Sequence, residues 1–105
     1  MTSSEELFWT LAAELGDEDP RVQRSTIMNG PCLRVGAEFL AMADFKGSGM
    51  VVKLPRVRVD ALIADGVGAP FAPAGRVFKE WVAVAEPDAE RWAALLREGV
   101  AFVGK

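Results

Sequence analysis

Any catalysis by this chain must proceed without an imidazole. Its 105 residues include no histidine and one cysteine, Cys32. Triads built on histidine, histidine-ligated metals and the commonest general base are therefore excluded. One cysteine can form neither an intrachain disulfide nor a zinc cluster. Carboxylates remain. Glu38, Asp44 and Glu80 are the candidates for paired acid–base work, but nothing in their spacing holds two of them together; solvated faces or salt bridges are the plain alternative. Cys32 is a candidate thiol, although its neighbours Pro31 and Leu33 suit a small buried hydrophobe. Gly47-Ser48-Gly49 and Gly66-Val67-Gly68 are Gly-x-Gly fragments. Neither joins a strand to a helix with a third glycine, so both read as turns rather than phosphate loops. No cofactor or metal is implied.

The basic residues make a fuller pattern. Lys53, Arg56 and Arg58 lie close in sequence, Arg34 precedes them, and Arg76, Lys79 and Trp81 come later. If Arg34, Lys53 and Lys79 share a sheet face with Trp81, that face sets cations beside an aromatic ring. Such a surface suits nucleic acid, through phosphate contact and stacking, or an acidic peptide. The plain alternative is a scatter of solvated charges.

The elements that must position these residues centre on Ile27–Leu54. Two tight turns, Gly36-Ala37-Glu38 and Lys46-Gly47-Ser48-Gly49, cut this stretch into an antiparallel meander of Leu33–Val35, Phe39–Phe45 and Met50–Leu54. Period-two alternation puts Phe39, Ala41, Ala43, Phe45, Met50, Val52 and Leu54 on an apolar face. It leaves Arg34, Leu40, Met42, Asp44, Val51 and Lys53 on a mixed one. Leu40, Met42 and Val51, exposed together, would form an apolar patch that a symmetric dimer or a covering helix must hide.

Before the meander, a helix starts at Ser3-Ser4-Glu5-Glu6, where Ser3 and Glu6 fit a capping box. Its stripe is Leu7, Phe8, Leu11, Ala12 and Leu15, with Trp9 to one side, and Gly16 ends it. Asp17–Ser25 reads as a polar loop broken by Pro20, and Thr26-Ile27-Met28 as a short edge strand. After the meander, Pro55 opens a second helix carrying Val59, Leu62 and Ile63, and Gly66 closes it. Val67–Gly75 is loop or short irregular strand, anchored by Phe71. Arg76–Ala85 is a strand of two registers. The preferred one turns Phe78, Val82, Val84 and Glu80 inward and leaves Lys79 and Trp81 on the mixed face. Pro87 opens a last helix, with Asp88 and Glu90 in its first turn and a stripe of Trp92, Leu95, Leu96, Gly99 and Val103. Trp92 reads as structural, while Trp9 and Trp81 divide between core and interaction surface.

The length suits one domain, residues 1–105, able to bury roughly two-thirds of its unfolded surface. A hydrophobic fraction of 50% and a mean hydropathy of +0.16 imply a well-filled core, or a core plus an apolar face covered by a partner. A net charge of −3 counts against a general nucleic-acid binder, without excluding a local basic patch. No run approaches a membrane span, and the acidic MTSSEELFW start is unlike a signal peptide, so a cytoplasmic protein away from membranes is expected. Helix, three strands, helix, one or two strands, helix makes an α+β two-layer domain with an antiparallel sheet and helices on one face.

This order and several local patterns resemble the TfoX N-terminal and MmcQ/YjbR types of small bacterial domain. The resembling residues are Met28-Asn29-Gly30-Pro31, Leu33-Arg34-Val35-Gly36 leading into Phe39-Leu40-Ala41-Met42, and Val52-Lys53-Leu54-Pro55. Phe71-Ala72-Pro73, Arg76, Glu80-Trp81-Val82 and the Trp92–Phe102 helix continue the likeness over most of the chain. The resemblance implies a secretion-chaperone-like order, α-β(3)-α-β(2)-α, and a DNA-binding or competence-regulating role. It carries over no catalytic or binding residue.

The expectation from sequence is thus a non-enzymatic interaction or regulatory domain. It would bind a protein partner, or itself, through a mixed sheet face drawing on Arg34, Met42, Lys53, Arg56, Arg58, Arg76, Lys79 and Trp81. A DNA-binding module using the basic residues is the alternative. A small-ligand pocket or enzyme site holding Glu38, Asp44, Glu80 or Cys32 is the third.

Overall fold

Helical spacing of apolar residues builds the first element. In the computed structural model, which describes residues 4–27, 30–44, 49–71, 78–84, 86 and 88–104, helix α1 spans Ser4–Glu18. It buries Phe8, Leu11, Ala12 and Leu15, the expected stripe. Trp9 packs edge-on against Phe8, and the Arg24 guanidinium sits 4.1 Å from its ring centre. Ser3 of the expected capping box lies outside the described residues.

Six strands follow in two runs among the described residues. β1 (Val22–Ile27), β2 (Gly30–Val35), β3 (Glu38–Asp44) and β4 (Gly49–Lys53) precede helix α2 (Arg56–Ala64). β5 (Ala69–Phe71) and β6 (Phe78–Val84) precede helix α3 (Ala89–Val103). All neighbours are antiparallel in one sheet ordered β1-β2-β3-β4-β6-β5. The α+β class is therefore as the sequence implies, with one correction: the first run holds four strands where three were expected. Residues 22–25, read as polar loop, join Thr26 and Ile27, read as a short edge strand, to form β1 at the edge of the sheet. An edge strand needs only one ladder; here Val22 is buried while Gln23 and Arg24 stay exposed and hide the pattern.

The helices cover one face of the sheet. Phe8, Leu11 and Leu15 of α1, Val59 and Leu62 of α2, and Trp92, Leu95 and Leu96 of α3 join Leu33, Val35, Met50, Val52, Leu54, Val82 and Val84 in one cluster. Asp88 caps α3, its side chain accepting a 3.0 Å bond from the Arg91 amide. Gly99 lets α3 lie against β3 and β4: a Cβ there would come within 2.6 Å of Leu40 Cδ1 and 3.0 Å of the Lys53 carbonyl.

A β-bulge changes the expected faces. Leu33 is opposite Ala41 but Arg34 is opposite Phe39, so Leu40 is an extra residue on β3. Leu40 joins Ala41 in the helix-side core, fully buried, and Phe39 turns to the opposite face. The uniform alternation read from the sequence had placed these two residues the other way round. Downstream, β6 takes the preferred register. Val82 and Val84 face the helices, Trp81 packs on the opposite face, and Glu80 is exposed at the rim.

Candidate functional site

The face of the sheet away from the helices is built by strand alternation. Cys32 and Arg34 from β2, Phe39 and Met42 from β3, Val51 and Lys53 from β4, and Lys79, Trp81 and Ala83 from β6 take its register positions. Ser25 and Gln23 of β1 extend it opposite Cys32 and Arg34. Its floor is a second apolar cluster of Cys32, Met42, Val51 and Ala83, with Phe39, Phe71 and Trp81 packed half-buried against it. Val51 and Cys32 are fully covered and Met42 is 8% exposed. The expected open patch of Leu40, Met42 and Val51 therefore does not exist. Leu40 is in the helix-side core, and the other two form a floor under larger side chains.

Among the described residues three cations take positions on this face. Arg34 is half-buried, with its guanidinium 4.8 Å from the Phe39 ring centre, a cation–π contact. Its Nη2 donates a 2.9 Å bond to the Ala37 carbonyl in the turn that Gly36 makes in the left-handed conformation. Its Nε is buried without a hydrogen-bond partner. Lys53 is directly opposite Trp81 in the β4–β6 register, and Lys79 lies two residues along β6 from Trp81, exposed. The Trp81 and Phe71 rings lie 6.4 Å apart, tilted by 53°.

The eight residues expected to share a surface thus divide. Arg34, Met42, Lys53, Lys79 and Trp81 do share this face, Met42 as floor. Arg58 does not: its Nε donates to Glu98 Oε1 at 2.8 Å, tying α2 to α3 in the helix layer. Arg56 is exposed at the first turn of α2, and Arg76 lies outside the described residues. Sequence reasoning missed Phe39 and Phe71 as members of the face. The bulge concealed the first, and the second sits in a three-residue strand between prolines.

The catalytic candidates do not converge. Glu38 and Glu80 are exposed, and the Asp44 side chain lies outside the described set. Cys32 is buried, and desolvation pushes its thiol pKa up against the smaller opposing effects of Arg34 and a Ser25 hydrogen bond. Among the described residues no three acidic, histidine or cysteine side chains gather. An open groove of about 300 Å³ lies between the start of α2 and the end of α3, lined by Pro55, Arg58, Glu98, Ala101 and Phe102. It contains none of the four candidates expected in a pocket. No described helix is long and apolar enough to cross a membrane. Comparison with known proteins finds no matching protein-family model, curated protein or solved structure.

Proposed function

We propose that this chain is a non-enzymatic interaction domain that binds a protein partner through the helix-free face of its sheet. One observation carries the reading: all three helices pack on one face, while the other carries half-buried Phe39, Phe71 and Trp81 beside long cationic side chains. Aromatic and arginine side chains over a packed floor are the groups that anchor protein interfaces. Self-association is the weaker form of the reading, since Met42 and Val51 are already covered within one chain. The resemblance to TfoX N-terminal and MmcQ/YjbR domains supplies the regulatory setting, and a cytoplasmic location goes with it.

Site-specific photocrosslinking tests this. A photoreactive phenylalanine analogue at position 81 should yield discrete adducts in its native host. The same analogue at exposed Ala61, on the helix layer, should not. Indistinguishable products at both positions would end the reading.

A second reading is nucleic-acid binding, favoured by the placement of Arg34, Lys53 and Lys79 beside rings on one face. It expects affinity for a labelled duplex or single strand that falls steeply with salt. Absence of binding at low salt removes it.

A further inference from the structure

We infer that the partner segment is an acidic peptide, received in extended form across Lys53, Trp81 and Lys79. The inference rests on the helix-free face being the binding surface and adds the chemistry of what it binds.

Toward the helices and at the sheet edge most of the described cations are engaged, while Arg56 and Arg91 stand exposed on α2 and α3. Arg58 pairs with Glu98, Arg97 with Glu18 and Arg21 with Asp19, while Arg24 covers Trp9. On the helix-free face the described side chains include three cations and no carboxylate, and none of the three makes an ion pair with a described residue. Asp44 takes a register position on this face at the far end of β3, beside Gly49 and away from Lys53. In a chain of net charge −3, a local excess of unpaired cations is an acceptor for negative charge supplied from outside.

The spacing suits a peptide. Directly opposed residues such as Lys53 and Trp81 have Cβ atoms about 5 Å apart, and Lys79 follows Trp81 at about 6.5 Å along the same face. Alternate side chains of an extended peptide repeat at the same interval of about 6.5 Å. Lys53 and Lys79 are diagonal neighbours, about 7–8 Å apart with Trp81 at the corner, so two alternate carboxylates of such a segment can meet the two ammonium groups beside the indole.

The rings argue against a nucleic-acid strand as the occupant. Successive bases need a row of open ring faces. Here the Phe39 ring is covered by Arg34, and Phe71 and Trp81 meet at 53°, forming a corner instead of parallel platforms. The net negative charge also opposes a polyphosphate more than it opposes a few carboxylates.

The test is an amide-resonance titration of the whole chain with four probes. These are a blocked alternating Glu-Ala peptide, alternating Lys-Ala and Ser-Ala peptides of the same length, and oligo-dT. The acidic peptide should shift Lys53, Lys79, Trp81 and the Trp81 indole resonance, with affinity falling as salt rises. The double charge reversal Lys53→Glu/Lys79→Glu should weaken it by at least about tenfold, as two exposed ion pairs turned repulsive would. The reversed protein should keep its circular dichroism; if it does not, Lys79→Glu alone, at the exposed position, should still weaken binding severalfold. Shifts at these residues from the basic peptide, the neutral peptide or oligo-dT without the acidic one would overturn the inference and leave the face a binding surface. So would acidic-peptide binding indifferent to charge reversal. No shift there with any probe would overturn both the inference and the reading beneath it.

Discussion

At the scale of single residues, the tightest constraint is Gly99. Alanine in a helix interior ordinarily gains about 1 kcal/mol over glycine. Here the added Cβ would meet the Lys53 carbonyl at 3.0 Å, Val52 Cγ2 at 3.3 Å and Leu40 Cδ1 at 2.6 Å. A backbone carbonyl cannot rotate away as a side chain can, so overpacking of about 1–3 kcal/mol should outweigh the propensity gain. Gly99→Ala should therefore lower the urea midpoint; a raised midpoint would show that α3 does not approach the sheet this closely. Cys32 gives a chemical counterpart. It is fully buried with its thiol pKa raised chiefly by desolvation, so in the folded protein it should react slowly with a disulfide reagent at mildly alkaline pH. Unfolding in urea should release the fast rate of a free thiol. Equal rates in both states would contradict the packed floor beneath Trp81 and Phe39.

At the scale of elements, the bulge in β3 makes the sharpest forecast. Leu40 is fully buried under α3 and Phe39 is half-buried on the opposite face. Leu40→Ala should cost about 2–5 kcal/mol, and Phe39→Ala less than that despite removing the larger side chain. A strictly alternating strand gives the reverse order, so equilibrium unfolding of the two variants decides between them. The helices show why most of the fold was legible. The stripes of α1 and α3 obey a 3.6-residue period, and the apolar run of β4 leaves few choices, whereas β6, with Lys79 and Glu80 inside it, leaves two registers open. The bulge and β1 were hidden for opposite reasons. A bulge adds a residue without changing the composition of its strand, and an edge strand that exposes Gln23 and Arg24 lacks the pattern that marks a strand. The cationic face was legible as a group, but Arg58 was not, because its partner Glu98 is contributed by a helix 40 residues on. Charge also ties α1 to α3, where Arg97 donates to Glu18 at 2.7 Å and holds that carboxyl below its ordinary pKa through hydrogen bonding, then charge. A lowered folded pKa means the pair contributes above the ordinary carboxylate value, near pH 4, and is lost as pH falls through the lowered one. Arg97→Ala should therefore flatten the acid limb of the stability curve below about pH 4. An acid limb as steep as the parent's would show that the pair adds nothing.

At the scale of the whole molecule, the sheet resolves a tension in the composition. A chain with 50% hydrophobic residues and a mean hydropathy of +0.16 must either fill its core thoroughly or leave an apolar face to a partner. This one does the former twice. A large cluster lies between helices and sheet, and a smaller one lies under the rings of the other face. Among the described residues the large hydrophobic side chain left exposed is Val57, at 81%. Val57 stands alone and the rings of Phe39, Phe71 and Trp81 are half-buried, so the described residues fall short of the contiguous apolar area that drives a stable dimer. The protein should therefore scatter light as an 11.3 kDa monomer across the accessible concentration range. Met42→Asp separates this from a weak dimer. At a position 8% exposed, a new carboxylate enters the floor of the second cluster and should destabilise the fold by several kcal/mol without changing the mass of what remains folded. A parent that dimerises, together with a Met42→Asp protein that is monomeric and equally stable, would mean that the floor is open to solvent. It would make the helix-free face a surface for a second copy of the chain instead of for an acidic segment.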